Sequence, residues 1–283
     1  MSDADRDEDI RVVSWNIARR NEPWRWLVRM AAEGAADVAL LQEAGSPPGD
    51  VIDVIEYEDN VFWTRHLYDR WPLVVRLSDR VRVEPYRQVP PIGMLPDDAI
   101  GVSGIGTIAA AKVTPIAEPE SAFTAVSMYA RWMAPHPHTG STWSVGMPDV
   151  SAHRILSDLS AFIGHDDPAR HRILAAGDLN SAYGALERRT KSLVRRERSV
   201  WQRFEALGLE LVGPQYPNGR QASEPQSYLP SDTRNVPTFQ SIQLDYVFAS
   251  RGFHQSVTAS ALNEEAEWGP SDHCRVIASV ALA

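Results

Sequence analysis

The sequence predicts an α/β fold with more strand than helix, gathered into one domain. Short apolar runs bounded by turn residues recur along the chain, and few segments carry helical periodicity. A length of 283 residues with 43% hydrophobic content can bury a large core, and sheet-rich folds of that size often form one domain. No fixed-period repeat or sharp break in composition marks a second unit. The expected division is an acidic, flexible N-terminus over residues 1–9 and a single folded domain over residues 10–283.

Residues 10–17 (IRVVSWNI) read as the first strand. Asn21-Glu22-Pro23 then starts a helix before Trp26, Leu27 and Met30, because proline in a first turn gives up an N–H that has no helical partner anyway. Residues 37–42 (DVALLQ) form a continuous apolar run suited to a strand covered on both faces; Ser46-Pro47-Pro48-Gly49 ends it, placing Glu43 at the exit. Further strands are expected at 72–77, 81–84, 106–113, 122–129, 172–176, 244–249 and 275–282.

Two more helices are readable. Residues 151–163 place Ile155, Leu156, Leu159, Phe162 and Ile163 on one face; residues 199–207 do the same with Val200, Trp201, Phe204 and Leu207 before Gly208 stops the helix. The connections at 88–101, 134–149 and 213–238 are rich in Pro, Gly, Ser and Asn, and structureless stretches of such length are usually functional or mobile, so they are expected to rim a site.

A single cysteine, Cys274, excludes an intramolecular disulfide framework, and reads as a buried small hydrophobe. The opening MSDADRDEDI has neither the positive flank nor the apolar stretch of a secretion signal, which points to a cytoplasmic setting. No apolar run approaches the roughly 20 residues needed to cross a bilayer, so no membrane insertion is expected. The net charge of −9 argues against a general polyanion binder. Basic residues nevertheless cluster at Arg188, Arg189, Lys191, Arg195, Arg196 and Arg198, either as a ridge that meets phosphates or as a solvated arginine-rich face.

Polar groups recur at or near the ends of the apolar runs: Ser14-Trp15-Asn16, Leu41-Gln42-Glu43, Met128-Tyr129, Gly177-Asp178-Leu179-Asn180, Leu244-Asp245-Tyr246 and Gly269-Pro270-Ser271-Asp272-His273. A rigid sheet that carries chemistry on its strand ends produces this arrangement. Singly, each has a plain reading: a solvated glutamate, ordinary turn formers, a core aromatic. Asp245 differs, because it sits within IQLDYVFAS, where an unpaired carboxylate is costly; His273 is the obvious partner. Asp178 and Asn180 alternate, so an extended backbone would point both the same way, with Leu179 opposite.

The ordered set resembles the endonuclease/exonuclease/phosphatase superfamily, the DNase I-like fold that includes apurinic endonucleases, sphingomyelinases and inositol polyphosphate phosphatases. Gly177-Asp178-Leu179-Asn180 and Ser271-Asp272-His273 are its most specific elements, supported by Leu40-Leu41-Gln42-Glu43, and the likeness spans Ile10 to Val280. The resemblance implies a four-layered α/β sandwich, two mixed β-sheets packed face to face with helices outside. It implies that Glu43, with Asn16 and Asp272, binds Mg2+ or Mn2+, cations suited to carboxylate, carbonyl and water ligands. Asp178 would activate or align the attacking water, and Asn180 would hold that water or a transition-state oxygen. His273, paired with Asp245, would bind phosphate or, as the alternative, serve as the base; Tyr129 would contact phosphate or the leaving group. Some nuclease members carry a metal-binding Asp two positions beyond the first-strand asparagine; here Ala18 stands there, which favours one metal.

The expected function is therefore a divalent-metal-dependent phosphodiester hydrolase, a nuclease cleaving DNA or RNA, with Arg188, Arg189 and Lys191 binding substrate. The alternative is a phosphatase or phospholipase-like hydrolase of a small phosphoester or lipid head group. A noncatalytic interaction module is the third reading, against which the intact acidic and histidine set counts. The tryptophans Trp63, Trp71, Trp132 and Trp143 could stack bases but are more economically packing residues, and His136-Pro137-His138 reads as a simple loop.

Overall fold

A computed structural model describes residues 9–52, 54–57, 71–89, 99–101, 108–130, 148–163, 170–181, 191–215, 243–264 and 266–282. In chain order the elements are β1 (Ile10–Asn16), α1 (Glu22–Ala32), β2 (Val38–Ala44), β3 (Glu56–Tyr57), β4 (Trp71–Arg76), β5 (Val81–Pro85), β6 (Arg87–Val89), β7 (Ala99–Gly101), β8 (Ile108–Pro115), β9 (Phe123–Tyr129), α2 (Pro148–Leu159), β10 (Ile173–Asp178), α3 (Lys191–Ala206), β11 (Leu209–Gly213), β12 (Asp245–Ser250), β13 (Val257–Leu262) and β14 (Arg275–Val280).

Twelve of the strands form two six-stranded sheets, ordered β13-β14-β1-β2-β4-β3 and β11-β12-β10-β9-β8-β5. Each is mixed: β1 and β2 are parallel, as are β9 and β10, while the flanking pairs are antiparallel. The parallel pairs bring the C-terminal ends of four strands to one end of the sandwich. The antiparallel neighbours β12 and β14 bring their N-terminal ends to the same place. Asn16, Glu43, Tyr129, Asp178, Asp245 and the segment before Arg275 therefore share one edge of the molecule.

Strand side chains alternate with period two, so each strand serves two cores. Between the sheets, Ile10, Val12, Val38 and Leu40 meet Phe123, Ala125, Leu174, Ala176, Val247 and Ala249. The other face of the first sheet presents Val13, Trp15, Ala39 and Leu41 to Trp24, Leu27 and Met30 of α1. The outer face of the second sheet packs against Ile155, Leu156 and Leu159 of α2 and Val200 and Phe204 of α3. Phe204 stacks on Phe248 with ring centroids 4.0 Å apart, and Trp201 meets Tyr246 edge-on at 4.6 Å. Helix, sheet, sheet and helix make up the four layers expected.

Local details depart from the sequence reading. β11 and β13 were not anticipated: LELVG is short, and VTASAL is too poor in large apolar residues to stand out, so both rely on pairing at sheet edges. The 88–101 connection is not structureless at its ends, since β6 and β7 pair in parallel as a small sheet of their own. α2 begins at Pro148, inside the expected 134–149 loop, and α3 begins at Lys191. Cys274 is fully buried against Ala261 and Trp268.

Gly177 of β10 pairs with Met128 of β9. A Cβ placed there would lie 1.9 Å from the Met128 carbonyl oxygen, so no side chain fits without moving a strand. Gly177→Ala is expected to destabilise the fold by about 3 kcal/mol, the upper end for overpacking a core. Urea unfolding of the two proteins measures this; a cost under about 1 kcal/mol would mean that the strands separate easily.

Candidate functional site

At the shared edge, the inward-facing positions change from apolar to polar. β1 runs Ile10, Val12, then Ser14 and Asn16; β2 runs Val38, Leu40, then Gln42; β9 runs Phe123, Ala125, then Ser127 and Tyr129; β10 runs Leu174, Ala176, then Asp178. The same alternation that fills the core thus delivers polar side chains into the gap between the sheets.

Asp178 lies at the centre and is 1% exposed. Its Oδ2 accepts hydrogen bonds from Asn16 Nδ2 and Asn180 Nδ2, each at 3.0 Å, and its Oδ1 accepts one from the Asn180 backbone N–H at 2.7 Å. The Asn16 bond crosses from one sheet to the other. Asn180 also donates from Nδ2 to the Ala130 carbonyl at 2.9 Å. The Asp178 and Asn180 side chains meet, but not through an extended backbone: β10 ends at Asp178, and Asn180 turns into the left-handed region with φ 47°. Asparagine tolerates that conformation better than most residues, and Leu179 is left buried against the outer core.

His273 Nδ1 lies 2.8 Å from Asp245 Oδ2, and both residues are buried. A carboxylate acceptor places the proton on Nδ1. Nε2 then faces Asp178 Oδ2 at 3.9 Å, beyond direct hydrogen bonding. The segment carrying the imidazole is stapled to the end of β1: Trp15 Nε1 donates to the His273 carbonyl at 2.9 Å, and Ser271 Oγ donates to the Asn16 carbonyl at 2.6 Å.

Glu43 occupies an irregular stretch of β2, where the register with β4 slips between Leu41 and Ala44. Its φ of 49° is left-handed, as are those of Ala18 and Arg19 at 50° and 60°, and the Arg19 N–H donates to the Glu43 carbonyl at 2.9 Å. Non-glycine residues held this way cost about 1–3 kcal/mol each and persist where their surroundings over-determine them. The Tyr129 phenol donates across the sheets to Glu43 Oε1 at 2.9 Å.

Burial pushes the Asp178 carboxyl well above the usual carboxylate range. The His273 charge opposes that shift, the Asp245 charge adds to it, and the donors from Asn180 and Asn16 oppose it.

Asn16, Glu43, Tyr129, Asp178, Asn180, Asp245 and His273 thus converge on one edge. Asp272 is partly exposed beside them, with Ser271 Oγ 3.4 Å from its Oδ1. Among the described residues, no group of three or more His, Cys, Asp or Glu side chains could hold an ion. The donor set still suits Mg2+ or Mn2+, because such ions are commonly held by one or two carboxylates with water and substrate oxygens supplying the rest. Glu43 and Asp272 bring two carboxylates to this edge, while the Asn16 amide is engaged within the protein: its Oδ1 accepts from the Ala18 N–H at 2.9 Å and its Nδ2 donates to Asp178. Lys191 is the first residue of α3, and Arg188 and Arg189 lie outside the described residues. Within the same basic run, Arg196 is committed to Asp149 through two 2.9 Å contacts, so it braces α3 against α2. Trp63, Trp132, Trp143, His136 and His138 also lie outside the described residues.

Ser127 escaped the sequence reading as a supporting residue, and Tyr246 entered it only as part of the Asp245 motif. Ser127 donates to the Leu41 carbonyl at 2.7 Å, and the Tyr246 phenol lies 2.8 Å from the Ser181 carbonyl and 2.6 Å from that of Gln243. A serine at an inward position of an otherwise apolar strand was the available signal for the first.

A profile of the Endonuclease/Exonuclease/phosphatase family matches residues 13–273. No curated protein sequence matches the chain. Among solved structures, an AP endonuclease from Leishmania major is similar over 100% of this chain and 91% of its own, with TM-score 0.64 and 16% identity. The endonuclease domain of TRAS1, a telomere-specific non-LTR retrotransposon, is similar over 97% of this chain and 99% of its own, with TM-score 0.61 and 15% identity. The 3′ phosphatase NExo from Neisseria, bound to product DNA hairpin, is similar over 96% of this chain and 100% of its own, with TM-score 0.56 and 14% identity. At these identities the likeness is one of fold.

The raised carboxyl has a measurable sign. An unfolded aspartate loses its proton near pH 4, whereas Asp178 in the fold holds it to higher pH, so deprotonation between those values favours the unfolded chain. In chelator, wild-type Tm should fall relative to Asp178→Asn as pH rises from about 4 towards neutrality. Parallel melting curves for the two proteins at each pH test this, and a constant difference would eliminate the elevated carboxyl.

Proposed function

The chain belongs to the endonuclease/exonuclease/phosphatase family, and on that premise we propose that it is a divalent-metal-dependent phosphodiesterase, a nuclease hydrolysing DNA or RNA by in-line attack of water. The observation that carries the proposal is the run of contacts Asp245–His273–Asp178–Asn16, which spans both sheets at one edge.

Asp178 is the group that takes up or aligns the proton of the attacking water. Burial raises its carboxyl above the usual carboxylate range, which makes it a stronger base than an exposed aspartate. Asn16 and Asn180 fix its orientation with three hydrogen bonds. Both Nδ2 protons of Asn180 face protein acceptors, so this amide acts on the water through Asp178 rather than by donating to it.

Asp245 holds the His273 proton on Nδ1 and fixes the orientation of the ring. With a proton on Nε2 the imidazole donates to a nonbridging phosphate oxygen, while Asp178 Oδ2, 3.9 Å from Nε2, faces the attacking water beside it. Tyr129 steadies Glu43 and borders the phosphate position. Superfamily members generally depend on a divalent metal. Glu43, Asn16 and Asp272 are the residues that would hold Mg2+ or Mn2+, which when bound neutralises charge on the nonbridging oxygens. Arg188, Arg189 and Lys191 follow the Asp178 loop in sequence and would guide a polyanion towards it.

A nucleic-acid substrate is supported by the neighbours: an AP endonuclease, a retrotransposon endonuclease domain and an enzyme holding a DNA product. The last is a 3′ phosphatase, which makes a terminal phosphomonoester the second reading. Among the described residues, no helix is long and apolar enough to cross a membrane.

Hydrolysis of single- and double-stranded DNA, RNA, a phosphomonoester and a phospholipid, with Mg2+, Mn2+ or chelator, tests the reading. Metal-dependent cleavage of nucleic acid is expected; selective release from a small phosphoester would keep the chemistry and overturn the substrate. Asp178→Asn and His273→Ala should each lower kcat by about 10²–10⁴-fold with the circular dichroism spectrum retained. Near-normal turnover in either removes its assigned role. Glu43→Gln should raise the Mn2+ concentration for half-maximal activity by about tenfold or more, and an unchanged titration would rule out that role.

A further inference from the structure

Glu43 sits where the pairing of β2 with one neighbour is irregular. The β2–β4 ladder is regular to Leu41, shifts register, and resumes at Ala44, so Gln42 and Glu43 lie at the irregularity. On the other side, Gln42 pairs with Asn16 of β1, and its carbonyl accepts from the Ile17 N–H at 2.9 Å. Glu43 is held at a left-handed φ beside this irregularity, and an anchor next to it in the chain helps keep its carboxylate in place.

The Gln42 side chain supplies one. It is fully buried between the sheets, and its Nε2 donates to the Leu40 carbonyl at 2.9 Å and across the gap to Ser127 Oγ at 3.0 Å; Ser14 Oγ lies at 3.4 Å. Ser127 Oγ returns the contact by donating to the Leu41 carbonyl at 2.7 Å. Two residues further along β9, Tyr129 donates to Glu43. The Gln42–Ser127 and Glu43–Tyr129 contacts are therefore successive rungs between β2 and β9, the first fully buried, the second at the site.

Gln42 is an expensive way to fill that space. Its Oε1 is buried with no hydrogen-bond partner among the described residues, and an unsatisfied buried acceptor costs stability that an apolar side chain of similar volume would not. Stability alone would favour leucine. We infer that Gln42 is a positioning residue that acts with Ser127 to fix the Glu43 carboxylate against Tyr129 and the end of β1. The inference rests on the reading of Glu43 as the metal-holding residue.

Gln42→Leu and Ser127→Ala separate positioning from packing. Urea unfolding in chelator, Mn2+ binding to metal-free protein followed by electron paramagnetic resonance, and kcat and KM are measured for each. Gln42→Leu should unfold at the same or higher urea concentration than wild type, yet bind Mn2+ and turn over about tenfold or more less well, the usual loss when a residue supporting a metal ligand is removed, with KM unchanged. Ser127→Ala should lose Mn2+ affinity in the same direction, and it decides the matter if Gln42→Leu does not fold. Folded variants with wild-type Mn2+ affinity and kcat overturn the inference, as does a drop in stability with Mn2+ affinity intact. Wild-type protein that binds no Mn2+ overturns the Glu43 reading itself and the inference with it. Mn2+ binding by wild type and variants alike overturns only the positioning role.

Discussion

A carboxylate held between two sheets at 1% exposure sets the terms for everything around it. Asp178 loses its hydration on folding and recovers part of that cost from three donors supplied by Asn16 and Asn180. Those donors exist only if β1 and β10 face each other in one register and the chain turns sharply after Asp178. The Asp245–His273 pair meets a similar requirement a strand away, since a buried carboxylate needs a partner and a buried imidazole needs a fixed proton. The polar edge is therefore one network whose members satisfy one another, and its geometry is tied to the packing of the apolar residues behind it.

The sheet topology makes this network possible at little structural expense. Parallel pairs at the heart of each sheet and antiparallel neighbours beside them gather six chain segments at one edge, which a purely antiparallel meander would have spread over both. The departures from regular backbone gather there too. Ala18, Arg19, Glu43 and Asn180 all adopt left-handed conformations, and none is glycine. Such conformations oppose folding, so the packing around them must over-determine them.

The layers were legible because apolar runs and helical faces obey simple periods: DVALLQ gave a strand buried on both faces, and the α2 apolar stripe lay where its spacing put it. Asp245 drew attention because a carboxylate within IQLDYVFAS has to be compensated, and the structure places His273 beside it. Edge strands such as VTASAL were invisible, since their stability comes from neighbours rather than from their own side chains. The start of α3 was hidden by KSLVRRER, whose charged residues mask its period and whose Arg196 serves the contact with α2. Asn180 shows a subtler limit: its proximity to Asp178 was expected from an extended strand and is instead produced by a turn. Spacing restricts what two side chains can do, and the backbone between them decides how.

The chain's one thiol follows directly on the imidazole. Cys274 is buried against Ala261 and Trp268, so a reagent can reach it only when the end of the sheet loosens. Its rate of alkylation in the native protein is consequently a clock for local opening of the segment that carries His273. Compared with the rate of global unfolding, that clock separates breathing of the polar edge from loss of the whole sandwich, without a label having to be introduced.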